Sequence, residues 1–175
     1  VRYYGEWMLK EAKSKLACHY PDVDITGAIS AGRAELSPYR GKKLPVIAWL
    51  WARTVRCMNP GCKKTTPMLS TFVLSSKSKK KYINPVTNGG ELSIEIADSP
   101  PERYADPKKG LKRGMSGIFE CVFCGTVTTR DYVANEANSG NLDHLGIAIV
   151  AEGNRERLYL PPDLSQSDMQ IPEID

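Results

Sequence analysis

Two short cysteine brackets constrain this chain more than any other feature. One is RCMNPGC at Arg56–Cys62, the other ECVFCG at Glu120–Gly125, and together they hold four of the five cysteines. Zinc takes four tetrahedral thiolate or imidazole ligands, and gaps of two to four residues let the intervening backbone wrap the ion. Both brackets satisfy that spacing, and each follows sequence that reads as a strand. Asn59-Pro60-Gly61 gives the first bracket a tight turn. Gly125 can take the left-handed backbone that frees N–H groups to point at sulfur. Lys63 and Lys64 stand where glycine would follow the first pair, and their charge would offset that of an anionic centre. Cys57, Cys62, Cys121 and Cys124 are therefore the expected ligands of one structural Zn2+. A complete thiolate set leaves no open position for substrate or water.

Other cysteine chemistries fit less well. Disulfides need an oxidising compartment, which nothing in the sequence indicates. A thioredoxin-like dithiol starts a helix, whereas here Gly125 follows and the helix-capping signal comes later. A zinc deaminase needs His-x-Glu upstream of Pro-Cys-x-x-Cys, and both are missing. A disulfide or dithiol stays as the alternative, with ordinary core thiols behind it. Cys18, in helical sequence, reads as a buried thiol. His19 and His144 read as surface or capping residues.

The strand pattern fits an α+β chain. Tyr4, Trp7, Met8, Ala12 and Leu16 recur at helical spacing and predict an amphipathic N-terminal helix ending near Cys18–Tyr20, before Pro21. Gly, Ser and Pro dominate the stretch to Lys43, which reads as loop. From Val46 apolar residues alternate, with Ile47, Trp49, Trp51 and Val55 opposite Ala48, Leu50 and Ala52, as in a covered strand. Further strands are expected at Met68–Leu74, Lys81–Val86, Leu92–Ile96, Ile118–Glu120, Leu145–Val150 and Arg157–Leu160. Asn88-Gly89-Gly90 supplies a hairpin turn. Asp98–Gly117 reads as a long exposed loop. Thr128–Asp131 resembles a capping box opening a helix that stops before Gly140. The expected division is 1–43 as helix and loop, 44–162 as an antiparallel zinc-ribbon-like β domain with one four-cysteine zinc site, and 163–175 as a polar linker.

At 175 residues, 41% hydrophobic and 25% charged, the chain is near the globular average, so neither disorder nor a fibre is indicated. The longest apolar run, Val46–Ala52, is too short to span a bilayer, and no secretory apolar region opens the chain. A cytoplasmic location with no membrane partner is expected. The chain opens at Val1 in helical-looking sequence and closes in PPDLSQSDMQIPEID, so it reads as a segment of a longer protein.

At VIAWLWARTVRCMNPGC, GIFECVFCGT, DYV and AIVAEGNRERLYLPP the sequence resembles the zinc-ribbon segment of large adenine-specific DNA methyltransferases that carry a domain of unknown function at the N-terminus. The resemblance runs from about Tyr3 to Pro162, and Met58 replaces an expected proline without touching a ligand. It implies that Cys57, Cys62, Cys121 and Cys124 bind zinc, and that the parent protein uses S-adenosylmethionine. Catalysis does not carry over. Such enzymes use an Asp/Asn-Pro-Pro-Tyr/Phe loop that holds the flipped base, whereas the Pro-Pro pairs here read Ser99-Pro-Pro-Glu102 and Leu160-Pro-Pro-Asp163. No catalytic or cofactor-binding residue is assigned, and the methyltransferase site is expected outside this segment.

Two partners remain. The net charge of +4 permits nucleic-acid binding without arguing for it. Lys77, Lys79, Lys80 and Lys81, on an expected hairpin tip, and Lys108, Lys109, Lys112 and Arg113, on the long loop, could neutralise DNA phosphates; such lysine runs more often simply stay solvated. Trp7, Trp49 and Trp51 could instead cover a face that docks on the catalytic domain of the same chain.

Overall fold

The computed structural model describes residues 2–16, 21–76, 79–104, 106–114 and 117–162. In chain order the elements are α1 (Arg2–Leu16), β1 (Val23–Asp24), α2 (Gly27–Ser30), a 3-10 turn (Ala34–Tyr39), β2 (Lys43–Leu44), β3 (Val46–Arg56), β4 (Thr65–Pro67), β5 (Val73–Ser75), β6 (Lys81–Asn88), β7 (Glu91–Ala97), β8 (Phe119–Glu120), β9 (Val127–Thr128), α3 (Arg130–Asn138), β10 (Asp143–Glu152) and β11 (Arg157–Leu160). Helices and antiparallel sheets together make the α+β class expected. Residues group into two compact units, one from the described parts of Val1–Ala48 and Ile149–Asp175, the other Trp49–Ala148. Strands β3 and β10 each contribute residues to both.

In the first unit α1 forms as the helical spacing predicts, with i,i+4 ion pairs Arg2–Glu6 at 2.9 Å and Glu11–Lys15 at 3.2 Å. None of its residues is buried, and Tyr3, Tyr4, Trp7, Met8, Leu9 and Leu16 are all exposed. Cys18 and His19 lie outside the described residues. The stretch read as loop holds short elements instead. β1 and β2 pair antiparallel, and the Thr26 hydroxyl caps α2 by accepting the Ile29 N–H. Their apolar residues Val23, Ile25, Leu36 and Leu44 are buried. At two to six residues each, these elements are too short to show a period in sequence.

In the second unit β5, β6 and β7 form a meander, with Asn88↔Glu91 closing the β6–β7 hairpin. Gly89 and Gly90 take φ of +57° and +87°, the paired left-handed conformation that a two-residue hairpin turn requires. On β3 it is Ala52 and Thr54 that are buried, while Trp51 is 45% exposed; Val55 is buried as well, so both faces are covered just before Cys57. The core gathers Ala52, Leu69, Phe72, Ile83, Ile94, Tyr104, Leu111, Val122 and Ile147.

Three expectations change here. Met68–Leu74 is not one strand: β4 ends at Pro67 and β5 begins at Val73. Between them Leu69 and Phe72 both point into the core, while their backbones bond elsewhere, Phe72 N–H to Pro107 O and Leu111 N–H to Leu69 O, each 2.8 Å. Asp98–Gly117 is not simply an exposed loop, because Pro101, Tyr104, Gly110 and Leu111 are buried. The helix cap is Thr129, whose hydroxyl accepts the Tyr132 N–H. Thr128 is instead buried in β9, and its hydroxyl donates to Phe119 O at 2.9 Å.

Gly110 fixes that loop against the core. It has φ +54°, and a Cβ there would lie 2.5–2.9 Å from backbone atoms of Leu69, Ser70 and Thr71. The neighbouring atoms are backbone and cannot swing aside. Gly110→Ala should cost about 3 kcal/mol, combining left-handed strain with overpacking. Urea denaturation checks this; a change below about 1 kcal/mol would mean the loop shifts freely.

Candidate metal centre

The site is built from two turns that leave two strand ends. β3 delivers Cys57, whose N–H donates to Lys64 O at 2.9 Å across the base of the first turn. Inside that turn the N–H groups of Cys62 and Lys63 both donate to Asn59 O, at 3.0 and 3.1 Å, and the Asn59 side chain accepts the Gly61 N–H at 2.9 Å. Lys63 takes φ +51°, in the left-handed region that few non-glycine residues adopt. β8 delivers Cys121, whose N–H donates to Thr126 O at 2.8 Å, while Gly125 N–H donates to Cys121 O at 2.9 Å. Gly125 has φ +75°, as its position predicts.

The four sulfurs converge. Cys57, Cys62, Cys121 and Cys124 present Sγ atoms that all lie within 4.8 Å of one another, with Cys57–Cys124 at 3.6 Å and Cys62–Cys121 at 4.0 Å. All four are free thiols. A zinc–sulfur bond of about 2.3 Å places tetrahedral sulfurs about 3.8 Å apart. Both short distances straddle that edge, so the donor set fits a tetrahedral soft-ligand ion. Cys57 and Cys121 are buried, Cys62 is half-buried and Cys124 is exposed.

Neighbouring groups set the protonation of these thiols. Burial pushes Cys57 up to about 12; the Asn59 backbone N–H opposes it and the nearby Cys124 and Cys121 add to it. Burial also raises Cys121, against hydrogen bonds from the Cys124 and Phe123 backbones. At Cys124 burial acts upward, but hydrogen bonds from the Thr126 hydroxyl and backbone, then from Cys57 and Cys62, bring it down to about 6. Cys57 and Cys121 thus keep their protons at neutral pH, and a binding ion must displace them. Metal affinity should fall as pH falls. Displacing these two protons alone should weaken zinc binding at least about 10^4-fold between about pH 8 and about pH 6. Competition with a chromophoric chelator measures this, and a change under tenfold would mean those thiols are already ionised.

Several positioning residues carry no sequence signature of a ligand. The buried Thr66 hydroxyl on β4 accepts the Val122 N–H at 3.1 Å and so ties the second turn to the strand beside the first. Asn59 Nδ2 donates to Thr126 Oγ1 at 3.3 Å and lies 3.9 Å from Cys124 Sγ. Asn59 was legible as a turn former but not as a bridge between the brackets. Lys64 does not face the sulfurs; its ammonium donates to Gly90 O at 2.6 Å and sits 5.4 Å from the Phe123 ring centre.

The basic residues divide. Lys79, Lys80, Lys108 and Lys109 are exposed, with Lys109 3.7 Å from Asp106, and Lys112 is half-buried. Lys81 is buried at the start of β6, not on a hairpin tip, and its ammonium is paired with Asp98. Arg113 is paired with Glu120. Lys77 lies outside the described residues. Among the described residues no helix is long and apolar enough to cross a membrane.

No family model, curated protein or solved structure matches this chain.

Proposed function

We propose that Trp49–Ala148 is a zinc-ribbon-like module whose two turns are clamped by one structural zinc ion. The observation that carries this reading is the convergence of four free thiols within 4.8 Å from two turns. Cys57, Cys62, Cys121 and Cys124 would hold the ion, and bound zinc supplies folding free energy here, not a reactive position. Four sulfurs also suit iron, so elemental analysis with an absorption spectrum separates a colourless zinc centre from a coloured iron one.

The biological reading rests on the resemblance. This module assists an adenine-specific DNA methyltransferase, with S-adenosylmethionine bound elsewhere in the parent protein, and holds duplex DNA through backbone phosphates. Exposed Lys79, Lys80, Lys108 and Lys109, the last 3.7 Å from Asp106, support that role; the less exposed Lys81 and Arg113, paired with Asp98 and Glu120, contribute little to it. Mobility shift of duplex DNA across several salt concentrations tests it. Alanine at those four positions should flatten the salt dependence by up to about four phosphate contacts. Absence of binding at low salt sinks the DNA reading.

The second reading, docking on the catalytic domain without DNA, is favoured by exposed apolar surface within each unit. Trp7 is 56% exposed on α1 and Trp51 is 45% exposed on β3. Iodide quenching of tryptophan fluorescence, lost on adding the catalytic domain, would support docking; unchanged quenching would oppose it.

A further inference from the structure

The four sulfurs differ in one respect that a purely structural centre does not need. Cys124 is exposed, whereas Cys57 and Cys121 are buried and Cys62 is half-buried. A small oxidant arriving from solvent therefore meets Cys124 first. A short sulfur contact of 3.6 Å joins it to Cys57, 67 residues away. The second short contact, Cys62–Cys121 at 4.0 Å, also runs between the brackets. Within the second bracket the backbone is held by Cys121 N–H to Thr126 O and Gly125 N–H to Cys121 O. Those two bonds fix the backbone of the turn.

Resting on the metal reading above, we propose that Cys124 is a peroxide-sensitive entry point, and that oxidation replaces the ion with a Cys57–Cys124 disulfide joining the same two turns. The chemistry takes two steps and one equivalent of hydrogen peroxide, the two-electron oxidant. The Cys124 sulfur attacks one peroxide oxygen; an S–O bond forms, the O–O bond breaks, and the departing hydroxide takes a proton to become water. Cys124 is then a sulfenic acid. The Cys57 thiolate attacks that sulfur; the S–S bond forms, the S–O bond breaks, and the second hydroxide leaves as water. Two thiolates lose two electrons and peroxide gains them. With two of the four sulfurs consumed, only Cys62 and Cys121 would remain as ligands, too few to retain a bound ion. A second equivalent joins that pair in the same way.

The consequence differs from that of a within-bracket disulfide. A Cys121–Cys124 bond would close one turn on itself and leave the other turn unattached. The cross-turn bond keeps the turns together, so oxidation exchanges a coordinate clamp for a covalent one. The bland alternative is that an exposed zinc-bound sulfur is simply unreactive.

The test uses the reduced, zinc-loaded chain titrated with substoichiometric hydrogen peroxide. Zinc release is followed with a chromophoric chelator, and disulfides are mapped by mass spectrometry after alkylation. The expected result is a Cys57–Cys124 peptide rising one for one with zinc released, ahead of any other cross-link. A Cys121–Cys124 bond appearing first overturns the proposal. So does zinc loss with over-oxidised Cys124 and no cross-link, or four unmodified thiols under excess peroxide. Metal content before peroxide is added separates the two readings. A chain with no bound metal fails the metal reading, while mapping of that metal-free chain still decides which pair links first.

Discussion

Replacing Cys121 by serine should abolish zinc binding and unfold both turns together with β4, β8 and β9. Cys121 is fully buried, and its sulfur lies 4.0 Å from that of Cys62. A serine hydroxyl is a poor zinc ligand and would leave a polar group where a thiolate stood. Structural zinc centres bind with apparent free energies of about 10–16 kcal/mol, and since the site does not exist in the unfolded chain, that energy is folding energy. A domain of ordinary stability, about 5–15 kcal/mol, cannot absorb the loss of much of it. Serine at Cys57, Cys62 or Cys124 should act alike. Cys18→Ser, at the one cysteine outside the two brackets of sequence, should keep the metal and most of the stability. Zinc stoichiometry with circular dichroism melts decides the matter. Equal effects from all five substitutions would remove the special status of the four.

Phe72→Ala should destabilise the metal-loaded protein by about 3–5 kcal/mol, the range for deleting a buried phenyl ring. Phe72 is fully buried, and its ring centre lies 4.7 Å from that of Tyr104 at an angle of 41°. The backbone at this position bridges two segments, with its N–H on Pro107 O and its carbonyl accepting the Ile83 N–H at 2.7 Å. Those bonds survive truncation and hold the walls of the cavity apart, which keeps the site from collapsing and places the cost toward the upper end. Tyr104, whose hydroxyl is buried without a hydrogen-bond partner, would lose its packing support. Urea denaturation with zinc in excess gives the number, and Phe72→Leu should recover more than half of it. A loss under about 1 kcal/mol would show that the core does not depend on this ring.

What the sequence revealed follows from how far each signal reaches. The cysteine spacing located the four-sulfur cluster because ligand geometry is written into short intervals. The β6–β7 hairpin was legible because Asn88-Gly89-Gly90 and the alternation in Leu92–Ile96 agree. Leu69 and Phe72 misled: their apolar character is real, but it serves an irregular segment whose backbone bonds to Leu111 and Pro107, 42 and 35 residues away. Asp98–Gly117 was read as exposed from its prolines and basic residues, yet Tyr104 and Leu111 within it are buried. Lys81 looked like part of an exposed lysine run because charge in sequence says nothing about an acidic partner at Asp98. Thr128 and Thr129 are chemically identical caps, and only strand pairing with Phe119 decides between them.

The separation of the two brackets also bears on how the chain matures. Cys62 and Cys121 are 59 residues apart, and the entropy of closing a loop that long works against their meeting early. During synthesis the first turn leaves the ribosome with only two of its four sulfurs. The β6–β7 hairpin, made from neighbouring residues, can fold in that interval and shorten the effective distance. Closure waits for translation of Cys124, so until then the nascent polypeptide presents only part of the sulfur set that the folded cluster brings together.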